Sequence, residues 1–255
     1  MGCVKTPLSD PRVTAVQDKD QFWITMDDPA TKNAMDLPLV GALTQAIENA
    51  PNGIIVLTGR NGSFSSGGGL STVAALAEQA QDDAKGVEDI VRRGGNVIED
   101  LLFSSSTTVA LIDGSCAGAG LGIALACDYR LATHRSRFIT AYSKLGLPSD
   151  FGTHELLRRQ IGTELADELM QSSELLGVTK ALEYGLIDAV IDRTDRKGVK
   201  RALKELPPPN RKGRGVDISD VLDLEATHFA RVISDPRTQL KLEKAVRKMK
   251  KARAS

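Results

Sequence analysis

Two glycine-rich segments of the chain could bind a ligand through main-chain N–H groups. The first, Gly62–Leu70, is GSFSSGGGL, and the second, starting at Asp113, is DGSCAGAGLGIALACDYRLAT. Glycine lets a ligand approach the main chain closely, and N–H groups at the start of a helix carry partial positive charge. The amides of Gly68 and Ala119 could therefore converge on one carbonyl oxygen and stabilise it as an enolate. The alternative is that the small residues only let a helix pack closely on a sheet.

The spacing of these glycines excludes three better-known motifs. In GAGLG, at Gly118–Gly122, the third glycine comes one residue too early for a dinucleotide-binding fingerprint. Neither segment continues into the Gly-Lys-Ser/Thr of a phosphate-binding loop. The residues around Ser65 lack the Gly-x-Ser-x-Gly spacing of a serine-hydrolase nucleophile. Binding through backbone amides is the chemistry that this pattern still favours.

Each glycine-rich segment comes after an apolar run and before a helical pattern. The runs are GIIVLTG and TTVALIDG, which are typical of strands buried on both faces of a sheet. RVTAVQ and FWITMD predict an initial hairpin, and Asp36 is predicted to cap the helix that follows. Residues 71–102 are predicted to be helical, with Gly94 and Gly95 interrupting the second helix. The repeated order of strand, glycine loop and helix predicts an α/β fold.

The composition excludes several classes of protein. The 255 residues carry 33 basic and 33 acidic side chains, and this zero net charge argues against a nucleic-acid partner. No segment is apolar for the length of a membrane span, and the N-terminus has no apolar signal core, so a cytoplasmic protein without a membrane span is expected. The three cysteines, Cys3, Cys116 and Cys127, lack metal-ligand spacing, which predicts buried, reduced thiols and no metal site.

Four blocks of sequence between Val13 and Asp192 occur in an order typical of one family. They are SFSSGGGL, GSCAGAGLGIALACDYRLAT, RFITAYSKLGLPSDFGTHELLRRQIG and TKALEYGLIDAVID. Together they resemble the crotonase superfamily, the enoyl-CoA hydratase/isomerase family. The resemblance implies a crotonase-type ββα spiral core over residues 1–195, a C-terminal helical lobe over residues 196–255, and a homotrimer or homohexamer. The proline-rich stretch at residues 206–215 predicts a linker within the C-terminal region.

The resemblance also implies an acyl-CoA thioester substrate whose oxygen lies between two backbone N–H groups. In this sequence those groups map to Gly68 and Ala119. The coenzyme A belongs to the substrate, so no separate cofactor is expected. The residues expected to bind the thioester are Lys32, Ser66, Gly68, Leu70 and Gly118, with the basic cluster from Lys244 to Lys251 as a further candidate for the CoA phosphates.

Both catalytic glutamates of the hydratase pattern are missing from the chain. Gly122 and Tyr142 fill their positions, and Gly69 stands where the family usually carries aspartate. Water addition by a pair of carboxylates is therefore poorly supported. Tyr142 could donate a hydrogen bond in the site or line the acyl pocket.

One acidic residue remains at a position where the family places catalysis. Asp150, in GLPSDFGT, matches the catalytic aspartate of dienoyl-CoA isomerases and of single-acid enoyl-CoA isomerases, and the nucleophilic aspartate of chlorobenzoyl-CoA dehalogenases. A single carboxylate suffices to move a double bond, because it can take a proton from one carbon and return it to another. Burial beside acyl carbons would raise its pKa. The alternative is that Asp150 caps the following helix.

The favoured expectation is isomerisation of an enoyl-CoA double bond with Asp150 as the proton shuttle. Hydration, hydrolysis or dehalogenation through Asp150, and a homologue that binds acyl-CoA without turnover, are the alternatives. His154 lies one helical turn past Asp150 and could pair with it, although a partly exposed helix histidine is the simpler interpretation. Cys116 is expected to be a buried thiol and Asp128 a structural residue.

Overall fold

The computed structural model describes residues 4–254, which form two β-sheets and the helices packed around them. The strands are β1 Val4–Thr6, β2 Val13–Asp18, β3 Gln21–Met26, β4 Ile54–Gly59, β5 Ser63–Ser65, β6 Thr107–Ile112, β7 Ser115–Ala117, β8 Tyr129–Ala132, β9 Arg137–Ile139, β10 Leu176–Gly177 and β11 Ala189–Val190. The helices are α1 Leu37–Glu48, α2 Leu70–Gln79, α3 Ala84–Phe103, α4 Ala119–Ala126, α5 Tyr142–Leu145, α6 Thr153–Ile161, α7 Thr163–Ser172, α8 Val178–Glu183, α9 Arg196–Glu205, α10 Ile218–Ile233 and α11 Pro236–Ala254.

The two sheets are built by a repeated ββα unit. The larger sheet has the order β1-β2-β3-β4-β6-β8-β11, and the smaller has the order β10-β9-β7-β5. After β4, β6 and β8 the chain adds a short strand to the smaller sheet, namely β5, β7 or β9, and then enters a helix. The predicted α/β fold with ββα repeats is confirmed. The three-residue strands β5 and β7 have no counterpart in the prediction, because so short a run shows no alternation of polar and apolar residues.

The predicted elements at the start of the chain are also confirmed. β2 and β3 form the antiparallel hairpin, with Val13 opposite Met26. Asp36 caps α1, since its carboxylate accepts a hydrogen bond from the Leu39 amide at 3.0 Å. Strand β4 lies between β3 and β6 with parallel pairing on both sides, as its apolar sequence suggests.

The prediction that Gly94 and Gly95 interrupt a helix is wrong. Helix α3 passes through both glycines without a break, and the chain leaves helical structure earlier, between α2 and α3. A Cβ atom on Gly94 would lie 3.1 Å from the ring of Phe151, and one on Gly95 would lie 2.9 Å from Leu222. These two glycines therefore serve close packing of other elements against α3.

Ion pairs and helix packing connect the C-terminal region to the core. Residues 206–217, which include the predicted linker, contain no helix, and Arg211 and Arg214 from this stretch bind the buried carboxylate of Asp128. Helix α10 packs along α3. The division of the chain at residue 195 stays a prediction. Between residues 4 and 254, none of the helices combines the length and the apolar character needed to cross a bilayer.

Candidate active site

The two glycine-rich turns lie against each other. Gly67, between β5 and α2, has a φ of +83°, and Gly118, between β7 and α4, has a φ of +47°. A Cβ atom on Gly67 would lie 2.8 Å from the Ala117 carbonyl oxygen and 3.3 Å from Gly118 Cα. A side chain at Gly67 would therefore force the turns apart, and positive φ favours glycine at both positions.

The residues that follow these glycines present amides without internal partners. Within residues 4–254, neither the Gly68 amide nor the Ala119 amide donates a hydrogen bond to a protein acceptor. Ala119 is the first residue of α4, where an N–H group has no intrahelical acceptor. All eight residues of α4 are buried, so the small side chains also serve close packing, the alternative drawn from the sequence.

A mostly apolar cavity of about 270 Å³ opens beside the first turn. Helices α1, α2, α3 and α10 supply its walls, together with Asp150 and Phe151. Gly68 is among the lining residues, and Ala119 is not. The apolar lining residues are Met35, Leu37, Pro38, Val40, Val73, Leu76, Ile90, Val91, Phe151 and Phe229.

Two carboxylates line this cavity, and their bonding differs. The Asp36 carboxylate is already hydrogen-bonded within the protein, because it caps α1 and accepts two hydrogen bonds of 2.8 Å from the Arg12 guanidinium. Asp150 forms no ion pair with any lysine or arginine that the structure describes. Its side chain accepts a 2.7 Å hydrogen bond from the Tyr142 hydroxyl. Asp150 is therefore the carboxylate at the cavity that can exchange a proton.

The surroundings of Asp150 favour a base that works near neutral pH. Burial raises the pKa of Asp150 to about 6, and the hydrogen bond from Tyr142 acts in the opposite direction. Burial also raises the pKa of the Tyr142 phenol well above its usual value, so this hydroxyl stays protonated as a donor. From the sequence, Tyr142 is expected either to donate a hydrogen bond or to line the acyl pocket. In the structure its hydroxyl donates to Asp150, and Tyr142 is not among the cavity-lining residues.

Asp150 does not cap the following helix with its side chain. The N-cap of α6 is Gly152, and the Asp150 main-chain oxygen accepts hydrogen bonds from the Thr153 amide at 3.0 Å and hydroxyl at 2.8 Å. Phe151 and Gly152 both have left-handed φ values, 53° and 62°. Because the Asp150 carboxylate does not cap the helix, it can accept the hydrogen bond from Tyr142.

The turn after Asp150 fills the space beside Gly122, where the hydratase pattern places a glutamate. A Cβ atom on Gly122 would lie 2.5 Å from the Thr153 hydroxyl oxygen and 2.7 Å from the Phe151 carbonyl oxygen. No side chain fits there without moving the turn that carries Asp150. The packing around position 122 therefore has no space for the glutamate that the sequence lacks.

The other residues expected at the thioester lie outside the cavity lining. The Lys32 side chain is exposed, its carbonyl accepts a hydrogen bond from the Ser66 amide at 2.9 Å, and Ser66 Oγ donates to Thr31. Leu70 packs against the apolar cluster that contains Val73. Lys244 and Lys251 are exposed on α11.

Three further residues from the sequence analysis have clear surroundings. His154 does not pair with Asp150: its Nε2 lies 2.7 Å from Asp167 on α7, on the partly exposed face of α6. Cys116 is fully buried, as predicted, and burial raises the pKa of its thiol far above the usual range. Asp128 is buried and binds the Thr108 amide at 2.8 Å together with two arginines, which fits a structural residue. Cys3 lies outside the described residues.

One acidic residue at the site escaped the sequence analysis. Glu225, on α10, accepts hydrogen bonds of 2.7 Å from the Ser149 hydroxyl and from the Gly152 amide, on either side of Asp150. Burial raises the pKa of Glu225 to about 7. The segment that carries it resembles the family only as a helical tail, so no motif pointed to this residue.

The chain is similar to proteins of one known family. The family model described as enoyl-CoA hydratase/isomerase matches residues 21–205. The chain belongs to the enoyl-CoA hydratase/isomerase family. It is 32% identical over 206 residues to the trans-2-decenoyl-[acyl-carrier-protein] isomerase of Streptococcus mutans, covering 72% of this chain and 76% of that protein. It is 30% identical over 224 residues to the mitochondrial methylglutaconyl-CoA hydratase of Mus musculus, covering 80% and 69%.

Solved structures of this family share the fold. The enoyl-CoA hydratase of Bacillus halodurans superimposes with a TM-score of 0.77 at 26% identity, covering 91% of this chain and 99% of that one. The crotonase-type fold expected from the sequence is confirmed. This chain is therefore an enzyme of the enoyl-CoA hydratase/isomerase family. Its relatives include both an isomerase and a hydratase, so similarity alone does not distinguish these two reactions.

Proposed function

We propose that the protein isomerises the carbon–carbon double bond of an enoyl-CoA, with Asp150 as the only acid–base group. The observation that supports this most directly is the bonding of the two cavity carboxylates. Asp36 is held by Arg12, whereas Asp150 faces the cavity with a single side-chain donor, Tyr142. Gly122 leaves no space for a second catalytic carboxylate.

A single carboxylate is sufficient for both proton transfers of this reaction. The ionised Asp150 takes a proton from C2 of a 3-enoyl thioester, and the C–H electron pair forms a dienolate whose negative charge rests on the thioester oxygen. Asp150 then returns the proton to C4, which leaves the double bond between C2 and C3, conjugated with the thioester. No water is consumed and no redox partner is needed. A pKa of about 6 suits this exchange, since the group must accept and release a proton near neutral pH.

The enolate oxygen is proposed to bind the amides of Gly68 and Ala119. Both follow the glycines that hold the two turns in contact, and both lack an acceptor among the described residues. In enzymes that use such donors, losing one costs about 3 kcal/mol of transition-state stabilisation. The acyl chain would then lie in the apolar cavity, because burial of its methylenes stabilises the complex.

The coenzyme A portion is proposed to extend from Gly118 and Gly68 along Ser66 and Leu70 toward Lys32. The exposed basic side chains of α11 between Lys244 and Lys251 are a second candidate for the CoA phosphates. The substrate supplies the coenzyme A, and the assembly is proposed to be a homotrimer or homohexamer.

The proposal is tested with purified protein and 3-enoyl-CoA substrates of several chain lengths, following the absorbance of the conjugated product. Asp150→Asn keeps the size of the side chain and its acceptor for Tyr142 but cannot accept a proton. We expect it to lower kcat by at least about a hundredfold. Asp89→Asn, an exposed change on α3, is the matched control and should leave kcat unchanged.

Labelled water separates isomerisation from the other reactions that a carboxylate could perform here. Isomerisation in H₂¹⁸O leaves the product unlabelled, whereas hydration or hydrolysis introduces ¹⁸O. Full activity in Asp150→Asn, or ¹⁸O in the main product, would overturn the proposed reaction. Tight binding of CoA esters without turnover at any chain length would instead indicate a protein that only binds its ligand.

A further inference from the structure

Glu225 joins the C-terminal helix α10 to both ends of the turn that carries Asp150. One of its carboxylate oxygens accepts a hydrogen bond from Ser149 Oγ, and the other accepts one from the Gly152 amide, each at 2.7 Å. The turn runs from Ser149 to Gly152, so Asp150 and Phe151 lie between the two contacts. A single side chain from another part of the chain therefore spans the segment.

This turn has a backbone conformation that needs outside support. Phe151 and Gly152 are both left-handed, and a bulky residue such as Phe151 rarely adopts that conformation without compensating contacts. Helix α6 starts immediately afterwards with no side-chain cap from its own N-cap residue. Glu225 supplies the acceptor for the Gly152 amide, and the Ser149 hydroxyl accepts a hydrogen bond from the His154 amide at 3.1 Å. These contacts take the place of an ordinary helix cap.

No cation among the described residues stabilises the ionised form of Glu225. No lysine or arginine in the part of the chain that the structure describes forms an ion pair with it, and both of its hydrogen-bond donors are neutral. Charged and titratable groups on the elements around it include Asp150, Tyr142 on α5, His154, Glu155 and Arg159 on α6, Arg92 and Glu99 on α3, Lys241 on α11, and Asp223 and His228 on α10 itself.

Most of these groups are already paired with one another. Arg92 binds Glu99 and Asp223, Arg159 binds Glu155, and His154 contacts Asp167. Because the pKa of Glu225, about 7, lies above that of Asp150, about 6, Glu225 is mostly neutral at the pH where Asp150 titrates, and its contacts with the turn remain as its means of acting on Asp150.

We propose that Glu225 is a positioning residue for catalysis, holding the 149–152 turn so that the Asp150 carboxylate faces the cavity. This inference rests on the proposed role of Asp150 as the proton shuttle. Glu225 is not among the residues that line the cavity, and its hydrogen bonds go to the turn, so we expect it to act through the turn.

The first test compares three variants on a 3-enoyl-CoA substrate. Glu225→Met keeps the length of the side chain but has no oxygen or nitrogen atom, so it loses both contacts. We expect kcat to fall about tenfold to a hundredfold, with KM changed less than about threefold. Glu225→Gln keeps an acceptor for the Gly152 amide and an N–H group that can donate to Ser149 Oγ, so its kcat should stay within about threefold of the wild type. Asp223→Asn, on the same helix but bound to Arg92, should match the wild type.

The second test measures the pKa of Asp150 in the absence of substrate turnover. Carboxyl ¹³C NMR follows the titration of Asp150, assigned by the signal that disappears in Asp150→Asn. The Asp150 pKa should be higher in Glu225→Met than in the wild type, because a displaced turn weakens the Tyr142 hydrogen bond that favours the ionised carboxylate. If Glu225→Met fails to fold, Ser149→Ala removes one of the two contacts and should lower kcat by a smaller factor.

The outcomes separate this inference from the proposed function. Wild-type kcat together with an unchanged Asp150 titration in Glu225→Met would overturn the role of Glu225 while leaving isomerisation intact. Full activity in Asp150→Asn would overturn the isomerase mechanism, and the titration would still show whether Glu225 holds the turn that carries Asp150.

Discussion

At the scale of single residues, the proposed chemistry depends on the contact between Tyr142 and Asp150. The phenol donates to the carboxylate at 2.7 Å and lies 2.9 Å from the Thr153 hydroxyl oxygen. A donor to the carboxylate stabilises its ionised form, whereas burial destabilises that form. The balance leaves the pKa of Asp150 at about 6, so the fraction ionised increases through that pH. For a base, kcat/KM should therefore increase up to about pH 6 and level off above it.

Tyr142→Phe tests this balance. Removing the phenol hydrogen bond takes away a contact that favours the ionised carboxylate, so the pKa of Asp150 increases. A hydrogen bond to a charged group contributes about 1.5 kcal/mol, which corresponds to about one pH unit. The rising limb of the kcat/KM profile should move to higher pH by about that amount. A limb that stays in place would show that another group controls the profile.

At the scale of elements, the site depends on how closely the turns and helices approach one another. Gly122 on α4 meets the turn formed by Phe151 and Thr153, and Gly67 meets Ala117. Each contact would place a methyl group within 3 Å of an oxygen atom if the glycine became alanine. These close approaches are possible because neither Gly122 nor Gly67 carries a side chain.

Gly122→Ala should therefore lower both stability and activity. Overpacking of this kind typically costs 1–3 kcal/mol, about 2 kcal/mol here, and relief by movement of the turn would displace Asp150. Urea denaturation and the isomerase assay provide the two measurements. Gly122→Glu should behave no better and should gain no hydratase activity, because the glutamate has no space.

Gly41→Ala is the control for the glycine variants. Gly41 lies inside α1, and a Cβ atom there would contact nothing within 4 Å. Because alanine favours a helix over glycine, this variant should be equal in stability or up to about 1 kcal/mol more stable. A similar loss of stability in both variants would remove packing at Gly122 as the explanation.

At the scale of the whole molecule, Asp128 connects the core to the segment before α10. Its side chain is 1% exposed and binds Arg211 and Arg214, and it accepts a hydrogen bond from the Thr108 amide. Arg214 also donates to the Ala126 carbonyl at the end of α4. This cluster fixes the start of the segment that leads to α10 and hence to Glu225.

Asp128→Asn should destabilise the protein strongly. Removing one member of a buried ion pair leaves charge without compensation, and such changes cost about 3 kcal/mol or more. The midpoint of urea unfolding, measured at one fixed protein concentration, should fall accordingly. Glu88→Gln, which removes the partner of an exposed lysine, should change the free energy of unfolding by less than about 0.5 kcal/mol. Equal effects in the two variants would contradict a structural role for Asp128.

Much of the fold could be predicted from local sequence. The hairpin β2–β3, the cap at Asp36 and the buried strands β4 and β6 follow from side-chain alternation, capping chemistry and apolar runs. These signals lie within a few residues of the elements that they specify. The glycine-rich pattern predicts the Gly68 and Ala119 amides as donors, and the family resemblance points to Asp150. The catalytic roles of all three stay predictions.

Tertiary structure alone decided which residues meet. The sequence left two roles open for Tyr142, a hydrogen-bond donor or an acyl-pocket residue. It also left two for His154, a partner of Asp150 or a partly exposed helix residue, and it gave no reason to consider Glu225. Contacts between residues far apart in the chain, such as Glu225 with Gly152, leave no local pattern, because either residue can occupy its own helix or turn without the other. The same holds for Gly94 and Gly95: a glycine in a sequence signals a possible break, and only the approach of Phe151 and Leu222 shows that it makes room for a neighbour.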